Sequence, residues 1–224
     1  VDGVEVPVLI DDAITTDEDT DVTEQITADP NEQDFIPNAQ TTTFNTPGAV
    51  TLTTPLGGGT VVNFAQGDWT ANGAGDVWTL DLVDGGDNYG QLIVDASDPE
   101  AVTATLDIPD AADSAWEPMD TGDTATIVFD YSADVEGSES ATVTINVDGV
   151  NDAPVAVDDI VITNTREDID VPHSALMAND SDIDEDEELE ITDVTPDAFI
   201  DGDFVTVPGS NRLKTQALKM LALM

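Results

Sequence analysis

Apolar and polar residues alternate along most of this chain. Ile127, Phe129 and Tyr131 alternate with Val128, Asp130 and Ser132, and Val143, Ile145 and Val147 alternate with Thr142, Thr144 and Asn146. These runs flank ADVEGSE (Ala133 to Glu139), a turn-forming stretch, and predict an antiparallel hairpin. Trp78, Leu80 and Leu82 alternate with Thr79 and Asp81, Val50 and Leu52 sit between threonines, and Leu106 and Ile108 end a further run. Thr, Val and Ile favour strands, while Gly, Asp, Asn and Pro punctuate them about every ten residues. The pattern predicts an all-β protein built of antiparallel Greek-key β-sandwich modules, alternate residues of each strand facing a core.

Two stretches depart from that rhythm. Pro55 to Gly90 is rich in glycine and holds Trp69, Trp78 and Tyr89. Core tryptophans with glycine turns are the favoured reading, and a binding face using these three aromatics is the alternative. RLKTQALKMLALM (Arg212 to Met224) has helical propensity and no acids. A capping helix is one reading, and a vector-derived or frame-shifted tail is the one adopted.

The chain also repeats itself. Val1-Asp2-Gly3-Val4 returns as Val147-Asp148-Gly149-Val150, an offset of 146. Pro7, Asp11, Asp12 and Thr16 match Pro154, Asp158, Asp159 and Thr163 at 147, and Glu18, Asp19, Asp21 and Val22 match Glu167, Asp168, Asp170 and Val171 at 149. Small loop insertions account for the drift. The expected organisation is a tandem module over 1–150 with a Gly/Trp-rich insertion, then the start of a second, truncated module over 151–211, with 212–224 as the atypical tail. With neither signal peptide nor initiator Met, the chain reads as a piece of a longer one.

Charge narrows the partners. Four Lys+Arg stand against 49 Asp+Glu, a formal net charge of −45, and the first basic residue is Arg166. Nucleic acid and anionic membrane surfaces are excluded, because both need cationic side chains. So acidic a fold needs salt or bound cations to offset its self-repulsion. The acids are 36 Asp and 13 Glu. Asp suits turns and oxygen cages around hard cations, whereas a general halophilic surface would use Glu more freely. No cysteine and a single histidine, His173, leave thiol and most zinc chemistry without parts. No carboxylate pair stands out, and the chain is expected not to be an enzyme.

Cation binding has two candidate places. Asn179 to Glu188 (NDSDIDEDEE) supplies Asp180, Asp182, Asp184 and Asp186 at every second position, which share one face if the segment is extended and can wrap an ion if it is a loop. It resembles the start of an EF-hand loop but lacks the sixth-position Gly and the flanking helices. The second place is VDGVNDAPVAVDD (Val147 to Asp159), where Asp148, Asn151 and Asp152 end a strand and Pro154 stiffens the exit. Glu167 from the second module, with Asp134 and Glu136 from the hairpin loop of the first, is placed to join them. A solvated acidic turn and a plain polar linker are the alternatives at these two places.

The stretches ATVTINVDGVNDAPVA (141–156), ALMANDSDIDED (175–186) and DDAITTDEDTDV (11–22) resemble the tandem cadherin-like and VCBS-type repeats of large bacterial surface proteins, RTX adhesins and biofilm-associated proteins among them. The resemblance implies a cadherin- or immunoglobulin-like sandwich in a secreted, cell-surface protein. It implies calcium held at module boundaries, with neighbouring repeats of the same chain and a host or biofilm surface glycan or protein as partners. Asn151, Asp152 and Pro154 match the cadherin linker Asp-x-Asn-Asp-Asn-x-Pro, Asp182-Ile183-Asp184 matches its later Asp-x-Asp, and Glu18 or Glu167 its module-start glutamate. Ala153 replaces the second Asn, Asp148 lies one residue too far back, and the first copy, GVEVPV, has no Asn-Asp. The expected function is a calcium-binding extender or adhesion module. The alternatives are a glycan- or peptide-binding module using Trp69, Trp78 and Tyr89, and a halophilic surface protein without specific ion sites.

Overall fold

The computed structural model of the chain describes residues 7–27, 34–36, 42–110, 113–135, 140–159, 169–184, 189–191, 204–206 and 212–215. Two compact units divide it, Val1–Asn151 and Asp152–Met224.

Among the described residues, the first unit holds two five-stranded sheets. Its strands are β1 (Asp12–Asp17), β2 (Val22–Gln25), β3 (Val50–Thr54), β4 (Thr60–Phe64), β5 (Thr70–Ala71), β6 (Val77–Asp84), β7 (Asp87–Asp95), β8 (Thr103–Asp107), β9 (Thr124–Ser132) and β10 (Ser140–Asp148). One sheet runs β1-β10-β9-β3-β4 and the other β2-β8-β7-β6-β5. Every pairing is antiparallel except β1 with β10. The long-range pairings β1 with β10, β2 with β8 and β3 with β9 make the crossed connections of a Greek key. The unit is an antiparallel β-sandwich of the immunoglobulin-like kind.

Period-two patterning places the core. Ala125, Ile127, Phe129 and Tyr131 of β9 and Ala141, Val143, Ile145 and Val147 of β10 are buried. They join Trp78, Leu80 and Leu82 of β6, Leu92 and Val94 of β7, and Ala104 and Leu106 of β8 in one cluster. Each large side chain so buried contributes about 1.5–3 kcal/mol. The expected hairpin pairs along its whole length, from Ser140 opposite Ser132 to Asp148 opposite Thr124.

The Gly/Trp-rich stretch adds edge strands to both sheets: β4 on one, β5 on the other. Trp69, Trp78 and Tyr89 are buried at 7%, 3% and 5% exposure, as the favoured reading of core aromatics has it, and the alternative of an aromatic platform is not present. Two of the rings have aromatic partners inside. Trp69 meets the Phe129 ring edge-on at 5.9 Å and Tyr89 meets Trp116 at 4.8 Å. Burial, then Asp87 and Asp84, push the Tyr89 phenol above its ordinary pKa. Gly90 follows at φ 100°, and a Cβ there would strike the Asp107 carbonyl, so only glycine lets β7 and β8 approach at this point.

In the second unit, β11 (Ile169–Pro172), β12 (Phe204–Thr206) and β13 (Arg212–Thr215) form an antiparallel sheet in the order β11-β13-β12, and a one-turn helix α1 (His173–Leu176) follows β11. The helical propensity of Arg212 to Met224 is therefore overridden at Arg212–Thr215, which is the central strand. Ladder bonding on both sides outweighs a local preference worth tenths of a kcal/mol per residue. Residues 216–224 lie outside those described. Among the described residues no helix is long and apolar enough to cross a membrane.

Candidate metal centre

Because β1 runs parallel to β10, with Asp17 opposite Asp148, the residue after β1 arrives beside the exit of β10. That residue is Glu18. Its N–H donates to the Asp148 carbonyl at 3.1 Å, and its side chain turns inward to 2% exposure. Glu18 Oε1 accepts the Val150 N–H at 2.9 Å. Residues 1–151 contain no Lys, Arg or His. Burying a carboxylate costs solvation, and in a unit without basic side chains N–H donors and a bound cation are what can offset that cost.

The segment before β9 wraps the same exit. Trp116 anchors it, fully buried, its indole N–H on the Tyr89 carbonyl at 3.0 Å. Glu117 follows at 6% exposure and Met119 is fully buried. Asp120 and Asp123 close a turn, Asp123 N–H donating to the Asp120 carbonyl at 2.9 Å. Gly149 N–H donates to the Asp123 carbonyl at 3.0 Å and Asn151 N–H to the Thr121 hydroxyl at 3.2 Å. Asp148 Oδ1 accepts from the Thr124 hydroxyl at 2.8 Å. Glu18, Glu117, Asp120, Asp123 and Asp148 thus all lie on segments tied to 148–151. Glu117 escapes a reading of acid spacing; its sequence signal is an acid set between two core residues, Trp116 and Met119.

Gly149 is what lets these segments close. A Cβ there would strike the Asp120 carbonyl and come within 2.9 Å of Met119 Cβ. Gly149→Ala is expected to cost about 1–3 kcal/mol, as overpacking does, read as a lowered urea midpoint. A midpoint equal to the wild type would mean that this packing is loose.

The second unit carries its own cluster. Asp152 N–H donates to Asp184 Oδ2 at 2.9 Å, and Asp184, at 6% exposure, has its own N–H near Asp182 Oδ1 at 3.4 Å. Asp180 is used elsewhere: its Oδ1 accepts the Val157 N–H at 2.8 Å, beside an antiparallel bridge between Val155 and Ser181. The expected single face of alternate aspartates is thereby split, because Ser181 pairs with Val155 and sends Asp180 and Asp182 to different backbone partners.

The first unit shows the same local structure. Val8 bridges Phe35, and Ile10 N–H donates to Asp34 Oδ1 at 2.7 Å. Val8 and Ile10 are 147 residues before Val155 and Val157, while Asp34 and Phe35 are 146 before Asp180 and Ser181. The sequence echo is a repeated structure. By the same offset, Ile36 stands where the second copy has Asp182.

Asp134 does not join the site. It follows β9 at the hairpin end, its N–H on the Thr43 carbonyl at 2.7 Å, whereas Asp148 ends β10 at the opposite end. Nine-residue strands separate the two by roughly 27 Å. Glu136, Glu167 and Asp186 lie outside the described residues. Among the described residues, no three Asp, Glu or His close around one point as a metal site. The donors at both clusters are oxygens throughout, which fits a hard cation such as Ca²⁺ that also takes backbone carbonyls and water.

No family model matches the chain, and no curated protein does. Among solved structures it is similar to murine CRIg, at 13% identity and a TM-score of 0.29, over 65% of this chain and 98% of that one.

Proposed function

We propose that the chain is a calcium-binding extender or adhesion module of a large bacterial cell-surface protein, with Ca²⁺ stiffening the exit of the first unit and the start of the second. The observation that carries this reading is Glu18, a carboxylate at 2% exposure in a unit without a basic side chain. Glu18 would be the carboxylate ligand of an ion at the first unit's exit, and Asp184 that of one in the second, with carbonyl oxygens and water completing each shell. The ion's part is structural: it offsets carboxylate charge and cross-links segments that otherwise repel. The excess of Asp over Glu and the resemblance of 141–156 and 175–186 to calcium-binding surface repeats support the same reading.

Thermal melts test it. An ion that binds only the folded state at 100 times its Kd adds about 2.7 kcal/mol, which raises Tm by roughly 5–10 °C in a domain of this size. The melting temperature is expected to rise by that much with Ca²⁺ at that multiple of its Kd and fall with chelator. Equal stabilisation by Na⁺ at matched ionic strength would point to a halophilic surface instead.

A further inference from the structure

The end of the first unit away from Asp148 carries a groove of about 700 Å³, within the range of small-molecule sites. We propose that it binds a neutral, hydroxyl-rich ligand, a saccharide. Asn45, Gln66, Trp69, Asp130, Ser132 and Ser140 supply its walls.

Backbone and side-chain ties fix these walls in place. Asn45 N–H donates to the Ser132 carbonyl at 2.9 Å, and its side-chain amide donates to Ser132 Oγ at 3.1 Å and the Ala133 carbonyl at 3.2 Å. Gln66 Nε2 donates to the Thr46 carbonyl at 3.0 Å, and the Trp69 indole N–H to the Gly48 carbonyl at 2.9 Å. Gly48 N–H in turn holds the Asp130 carbonyl at 2.7 Å. Such a site is ordered before a ligand arrives, which lowers the entropic cost of binding.

The ties also decide what the groove offers. Asn45 spends both amide N–H groups on the protein and Gln66 one, so Asn45 presents its carbonyl oxygen as an acceptor and Gln66 an oxygen and one N–H. Asp130 adds a carboxylate, one oxygen of which takes the Thr142 hydroxyl at 2.9 Å. Ser132 and Ser140 rotate to donate or accept. The Trp69 ring is 7% exposed and forms a wall rather than a stacking face. A ligand must therefore bring several donors and some acceptors in a small volume, as vicinal hydroxyls do. Anions are repelled by a chain of net charge −45 with no cation in the groove. A cation would meet one carboxylate here and denser acid elsewhere on the chain.

The test is an NMR titration of the full chain with methyl glycosides of glucose, galactose, mannose and N-acetylglucosamine. At least one is expected to shift the backbone amides of Asn45, Thr46, Gly48, 66–69 and 130–132 and the Trp69 indole N–H. Gln66→Ala and Asp130→Ala, each checked for an unchanged melt, should weaken that binding about tenfold or more. The proposal is overturned if no glycoside shifts these signals at tens of millimolar, or if both variants bind as the wild type does. Preference of the groove for Nα-acetyl-arginine amide over every glycoside would also overturn it and point to a basic peptide.

Discussion

Trp116→Ala is expected to cost the first unit about 3–5 kcal/mol, the range for deleting a fully buried aromatic. The ring has no exposed surface, packs 4.8 Å from Tyr89, and spends its N–H on the Tyr89 carbonyl at 3.0 Å. It also anchors the segment that brings Glu117, Thr121 and Asp123 to the exit of β10. The variant should therefore lose calcium-dependent stability as well as packing. Trp116→Phe separates the two effects: it keeps most of the buried ring and leaves the Tyr89 carbonyl without its donor, at a cost of about 1–3 kcal/mol. Urea unfolding with calcium and with chelator measures both. A loss below about 1 kcal/mol for the alanine variant would show that the segment is held by something other than this anchor.

Glu18→Ala in saturating calcium is expected to cost about 4–6 kcal/mol. About 2.7 kcal/mol is the ion's contribution at 100 times its Kd. A further 1–3 kcal/mol comes from the Val150 N–H, which loses its acceptor. Glu18→Gln isolates the charge, because the amide oxygen still accepts that N–H. In chelator it should be as stable as the wild type or more so, since no carboxylate remains to be buried. In calcium it should fall behind. Destabilisation by Glu18→Gln of equal size in both conditions would mean that Glu18 acts through packing alone.

The β9–β10 hairpin was legible because two period-two runs surround a turn-forming loop, and one buried face forces that alternation. The parallel pairing of β1 with β10 was not, since local pattern carries no information on a partner some 130 residues away; yet that pairing is what places Glu18. Asp134 was misplaced for a reason already present in the hairpin. Two nine-residue strands put their connection and their outer ends at opposite ends of the hairpin. Trp69, Trp78 and Tyr89 show the limit of composition: glycine turns beside aromatics suit a core or an exposed platform, and only the sheet order decides. The repeat was visible as Val147 to Asp159 echoing the N-terminus. Its structural content, the paired bridges Val8 with Phe35 and Val155 with Ser181, lies in the partners, where Phe35 and Ser181 share no chemistry.

Calorimetric titration of Ca²⁺ into the chelator-stripped chain, beside Glu18→Gln and Asp184→Asn, is the most direct measurement. Saturable binding at a Kd near 10⁻⁴–10⁻³ M, usual for extracellular modules, is predicted for the wild type, with one site lost in each variant. Heats no larger than those of NaCl at matched ionic strength, or binding that both variants leave intact, would contradict calcium as the ion these carboxylates hold.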